Sequence, residues 1–143
     1  MGAPHLRVIL PTEFEELWPQ MSSKLLAAED FSQGEFFISD IPDMIKREEA
    51  FVTVMSDNTD MDLVIVFQIL SYPRKKVLHV LAMGGRGFNV VMDSCWSEVE
   101  KLARFLGASS IRAAVRPSMQ RYARWVTPEA VSIYTVVERP IGA

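Results

Sequence analysis

The forty residues from Lys76 to Val115 constrain the fold more than any other part of the chain. An apolar strand over Val77–Met83 runs into Gly84-Gly85-Arg86-Gly87. An amphipathic helix follows, and then a second strand, Ser110 to Val115. In the helix Phe88, Met92, Cys95, Val99, Leu102 and Phe105/Leu106 recur at three-and-four spacing, while Glu98, Glu100, Lys101 and Arg104 point elsewhere. Gly107 ends it. A strand, a crossover helix and a strand of this length form a right-handed unit with parallel strands. A glycine-rich turn at a helix N-terminus also brings backbone amides and the positive end of the helix dipole close to any bound phosphate. A plain reversal of the chain accounts for the same glycines equally well.

The remaining pattern supplies the rest of a sheet. His5 to Leu10 reads as a first strand, and Thr12-Glu13-Phe14-Glu15 as a capping box for a helix with Phe14, Leu17/Trp18, Met21 and Leu25 on one face. Pro19 predicts a kink, or a helix that starts after it. Gln33-Gly34 marks a loop, and Asp40-Ile41-Pro42 opens a short helix through Lys46 to Glu49. Phe51 to Met55 is a strand, Ser56 to Asp60 a turn, and Leu63 to Leu70 a strand in which only Gln68 is polar. So apolar a run belongs in mid-sheet, covered on both faces. Tyr72-Pro73-Arg74-Lys75 turns back toward Lys76. After Val115 the pattern gives a helix, Ser118 to Val126, a break at Pro128 and a last strand, Val131 to Val137. The expected fold is a single mixed α/β (α+β) domain over residues 1–143, a central mixed sheet flanked by helices in the order βααβββαβαβ.

Composition narrows the function classes. A chain of 143 residues with 49% hydrophobic content has one substantial core. No apolar run approaches the roughly 20 residues that span a bilayer. The start, Met1-Gly2-Ala3-Pro4-His5, lacks the regions of a signal peptide, and Leu6 stands where a myristoylation signal needs Ser or Thr. A cytoplasmic protein without a membrane partner is expected. The single Cys95 excludes an internal disulfide and every multi-cysteine zinc pattern, and its place on the apolar stripe reads as a core thiol. His5 and His79 alone cannot build a clustered metal site, so no metal is predicted.

Charge is unevenly spread beneath the net value of −3. Residues 1–62 carry 13 acidic and 4 basic side chains, whereas residues 104–143 carry 2 and 6. Opposed ends of this kind suit head-to-tail self-association or a basic cofactor-binding surface. Nucleic acid is a poor partner, because an acidic chain repels it and only Tyr122 and Trp125 accompany the arginines.

With the Gly-rich turn, Trp96, the helix ending Leu102-Ala103-Arg104-Phe105-Leu106-Gly107 and the segment Arg116-Pro117-Ser118-Met119-Gln120-Arg121-Tyr122 in view, the chain resembles the GNAT superfamily of N-acetyltransferases. The likeness is nearest to short, divergent members encoded by bacteriophages. Element order carries it across most of the chain, and residues from about Leu78 to Val137 carry it in detail. It implies an acetyl-CoA site around Leu81, Met83, Gly84, Gly85, Arg86, Gly87 and Phe88. The family's pyrophosphate loop reads Arg or Gln, two variable residues, Gly, one variable residue, then Gly or Ala. Placing its glycines on Gly85 and Gly87 puts Ala82 at the basic position, and placing its Arg on Arg86 puts Asn89 and Val91 at the small positions.

The resemblance also implies that Tyr122 would protonate the departing thiolate, although Trp125-Val126-Thr127-Pro128 stands where a Gly-Phe pair is usual. A general base needs a pKa near neutrality, and His79, on the strand leading into the turn, is the only well-placed imidazole. Both side chains also have a plain packing reading. Two function classes follow. The first is a non-catalytic structural or accessory component, a virion or assembly protein that contacts phage structural proteins or its own copies. The second is an acetyl-CoA-dependent N-acetyltransferase acting on an amine. The incomplete loop, the missing Gly-Phe and the want of a convincing base weigh toward the first.

Overall fold

The computed structural model describes residues 5–29, 35–56, 63–85, 96–113 and 137–142. Within them a five-stranded sheet has the spatial order β1-β2-β3-β4-β5, with β1 His5–Val8, β2 Phe51–Ser56, β3 Leu63–Ser71, β4 Lys76–Gly85 and β5 Ser110–Ala113. The first four strands are antiparallel neighbours, and β5 joins β4 in parallel, with Val77 opposite Ser110 and Val80 opposite Ala113. This mixed sheet matches the expected fold class, and β3 lies in its centre as its apolar run requires.

Helices cover both faces. On one lie α1 (Pro11–Glu29), a 3₁₀ turn (Ile38–Asp40) and α2 (Ile41–Lys46); their Phe14, Met21, Leu25, Ile38 and Ile41 close over Val52, Val54, Val64 and Val66. On the other lies α3 (Trp96–Phe105), whose Val99 and Ala103 pack with Leu63, Ile65, Phe67 and Leu78. Alternate residues of β3 therefore serve two separate cores, as the two-residue period of a strand dictates. Among the described residues Thr53 is the polar exception, fully buried, with its hydroxyl donating to the Ile65 carbonyl at 3.1 Å.

Several expectations change in detail. α1 is one 19-residue helix that continues through Pro19. Pro19 and Glu15, four residues before it, are both exposed, so the carbonyl deprived of its amide partner lies on the solvent side. The helix also begins one residue before Thr12. Glu13, not Glu15, reaches back, accepting from the Leu10 amide at 3.0 Å and from Arg7 of β1 at 2.7 Å. On α3 the apolar stripe is Trp96, Val99, Leu102/Ala103 and Leu106, while Phe105 is 87% exposed, because Leu106 fills the inward position one residue further round. Gly107 ends α3 at φ 81°, a left-handed conformation that glycine adopts without strain. Val137, expected to close the last strand, belongs to no helix or strand and is exposed. The expected helix at 118–126, the strand at 131–136 and the first residues of the crossover helix lie outside the described residues.

Candidate functional site

The site is built on an irregularity in β4. Ala82 pairs with Val66 and Val80 with Phe67, which leaves Leu81 without an opposite number. Such a bulge breaks the ladder locally and resets which side chains face which way. Before it, Leu78 and Val80 face α3; after it, Met83 does, while Leu81 and Ala82 both turn toward the α1 side. The described pairing of β5 with β4 runs from Val77 to Val80, immediately before the bulge.

Beyond it the glycines have different tasks. Gly84 and Gly85 are the last residues of β4 rather than the start of the turn, a correction to the expected strand end at Met83. Gly84 pairs with Val64 on the side where α1 packs, and a Cβ built on it overlaps the carbonyl oxygen of Lys24. The missing side chain is thus occupied by the backbone of α1, and only the main chain of Gly84 remains for a ligand. Gly85 is exposed, with φ 119°, a conformation that strains any residue with a side chain. Arg86, Gly87 and Phe88, the rest of the expected cofactor set, lie outside the described residues, as does Tyr122.

His79 is half-buried two residues before Leu81. Its Nδ1 stands 3.2 Å from the amide oxygen of Gln68, the residue directly across on β3. On the other side its register partner is Arg112 of β5. Burial, and then the Arg112 charge, hold the imidazole below its ordinary pKa, while the Glu35 carboxylate opposes them. Arg112 is itself anchored, donating to the Tyr72 hydroxyl at 2.8 Å and lying 5.2 Å from the centre of that ring. Gln68, His79 and Arg112 therefore form a polar row across three adjacent strands. Of these three, residue type alone singles out only His79. The signal for Gln68 was present, as the lone polar residue in the β3 run; Arg112 and Glu35 carried none.

A cavity of about 370 Å³ lies elsewhere, between β1, the start of α1 and the start of β2, lined by Val8, Leu10, Phe14, Ile45, Glu48 and Ala50 among others. Neither the bulge nor the glycines line it, so it is separate from the site on β4. Among the described residues no group of three or more His, Cys, Asp or Glu side chains could hold a metal ion. Also among the described residues, no helix is long and apolar enough to cross a membrane.

No family model matches the chain, and no curated protein matches it by sequence. Solved structures do match in shape. A GNAT family acetyltransferase of Staphylococcus aureus superposes with a TM-score of 0.62 at 12% identity, covering 98% of this chain and 100% of the other. An aminoglycoside acetyltransferase from an uncultured soil metagenomic sample, solved with sisomicin, gives 0.69 at 8% identity, covering 98% and 97%. A ribosomal-protein-alanine N-acetyltransferase of Brucella melitensis biovar Abortus gives 0.65 at 11% identity, covering 98% and 100%. Identities this low speak for the fold alone. The chain has the fold of the GNAT acetyltransferases.

Proposed function

We propose that the chain is an acetyl-CoA-dependent N-acetyltransferase acting on an amine. The observation that carries this reading is the bulge at Leu81, set where the described β4–β5 pairing ends and leading to a bare, left-handed Gly85, in a fold shared from end to end with acetyltransferases. The same features favour catalysis over the non-catalytic assembly role, for which the described residues supply no particular support. The bacteriophage connection remains a matter of resemblance.

The residues suit the cofactor chemically. Leu81 to Gly85 offer main-chain donors with little side-chain bulk beyond Met83, and Arg86, Gly87 and Phe88 would complete the set toward the phosphates. When bound, acetyl-CoA supplies a thioester whose acetyl group passes to an amine nitrogen. His79, held neutral by burial and Arg112, would accept the proton that the attacking amine loses. Tyr122 would give a proton to the departing sulfur. The acidic excess in residues 1–62 favours a cationic amine as acceptor, drawn in by charge of opposite sign.

Thermal unfolding in the presence of acetyl-CoA tests the reading. A ligand that binds only the folded state stabilises it by about 2.7 kcal/mol at one hundred times its Kd. A rising melting temperature is expected, followed by CoA release when amines are added. A melting temperature unmoved by millimolar acetyl-CoA rejects the proposal.

A further inference from the structure

We propose that Gln68 is the positioning residue of the site, fixing the His79 imidazole as the tautomer with hydrogen on Nδ1 so that Nε2 presents the lone pair. The inference rests on the reading of His79 as the base. It begins from the register: Gln68 and His79 are direct partners across β3 and β4, and both are half-buried on the same side of the sheet. The Gln68 amide oxygen faces Nδ1 at 3.2 Å, and an oxygen can only accept. Nδ1 must then donate, which leaves Nε2 unprotonated in the neutral ring. Among the described residues Nε2 has no hydrogen-bond partner.

The surroundings support this arrangement. The charged groups acting on the ring are Arg112 from β5 and Glu35 from the segment before the 3₁₀ turn. Arg112 opposes a second proton and so preserves the neutral ring, whose tautomer is what Gln68 selects. Glu35 pulls the other way. Chemically, a polar side chain in mid-β3 has a cost, since every other position from Leu63 to Leu70 is apolar and a half-buried amide needs its hydrogen bonds satisfied. A partner on His79 meets that need and gives the ring one orientation.

The test has two arms with separate readouts. In the first, imidazole-nitrogen NMR of the whole protein reads the tautomer directly, and with only His5 and His79 in the chain a His79→Asn spectrum assigns the signals. The Nδ1-protonated form is expected in the native protein, a mixture of tautomers in Gln68→Leu, and a raised His79 titration in Gln68→Glu, whose carboxylate still accepts from Nδ1 but favours the imidazolium. An Nε2-protonated native ring, or an unchanged tautomer in Gln68→Leu, overturns the proposal whether or not the protein is an enzyme. In the second arm, kcat of Gln68→Leu is expected to fall roughly tenfold with the KM for acetyl-CoA unchanged, and the acidic limb of the Gln68→Glu profile to move to higher pH. Loss of kcat with an unmoved acidic limb in Gln68→Glu counts against positioning. Full activity in His79→Asn instead removes the base reading and leaves the tautomer result standing.

Discussion

The backbone of Gly84 lies directly against the Lys24 carbonyl of α1: a Cβ on Gly84 would overlap that oxygen and sit 2.7 Å from its carbon and 3.1 Å from the Leu25 Cα. The contact joins the C-terminal half of α1 to the end of β4. The position of the candidate cofactor loop is therefore coupled to helix packing, and one glycine in it is required by the fold before any ligand is considered.

Gly84→Ala is expected to destabilise the protein by about 1–3 kcal/mol, the usual cost of forcing an extra group into a packed contact. The colliding atoms are backbone, so α1 must shift as a unit and no rotamer change relieves the overlap. Urea unfolding measures the loss. Gly142→Ala, at a position with no atom within 4 Å, serves as the control and should be neutral. Equal stability of both variants would show that Gly84 is not tightly packed.

Gly85 makes a different demand, because its constraint is φ and not contact. Gly85→Ala should cost about 1–2 kcal/mol through left-handed strain and should also weaken acetyl-CoA binding, since relief of that strain turns the loop aside. The measurement pairs denaturation with a cofactor titration. A variant that loses stability and binds acetyl-CoA as before would separate the conformation of Gly85 from phosphate recognition.

How much of this was legible follows from what each signal depends on. The parallel β4–α3–β5 unit and the central place of β3 were readable, because hydrophobic period and run length directly express which faces are covered. The bulge was not readable. Leu81-Ala82 continues an apolar strand, and only pairing with Val66 and Phe67 shows that one residue is extra. Pro19 gave a local warning that tertiary packing overrode, since Met21 and Leu25 are fully buried and hold the helix beyond it. Likewise the row Gln68–His79–Arg112 joins residues from three strands, and their adjacency exists only once β4 has found both neighbours. His79 could be named from its chemistry; its partners could not.

Stability should fall in acid partly through Glu13. Its carboxylate accepts from the Leu10 amide and, next in effect, from Arg7, and both hold its pKa below the ordinary 4.5. With the folded-state value depressed, the unfolded chain binds the proton more readily, so the contribution is complete above 4.5 and disappears as pH drops through the lower folded-state value. Glu13→Gln is expected to flatten the pH dependence of the unfolding midpoint in that acidic window and to leave its shape near neutrality alone. A wild-type acid limb retained in the variant would assign the effect to other carboxylates.

The outer edge of β1 supplies the last prediction. Its Leu6 amide points away from β2 and donates to the Glu98 carboxylate of α3 at 2.6 Å, so a side chain from the helix below caps a donor that an edge strand would otherwise present to other chains. Glu98 also lies 3.7 Å from the exposed His5 ring, but the half-buried amide is the partner whose loss matters. Glu98→Ala leaves that donor without its acceptor and should cost about 1 kcal/mol, with faster amide hydrogen exchange along β1 and a greater tendency to self-associate. Glu98→Gln keeps an oxygen in reach and should recover most of the protection. Exchange measured at Leu6 distinguishes the two: equal protection factors in wild type and Glu98→Ala would mean that β2 alone holds the edge.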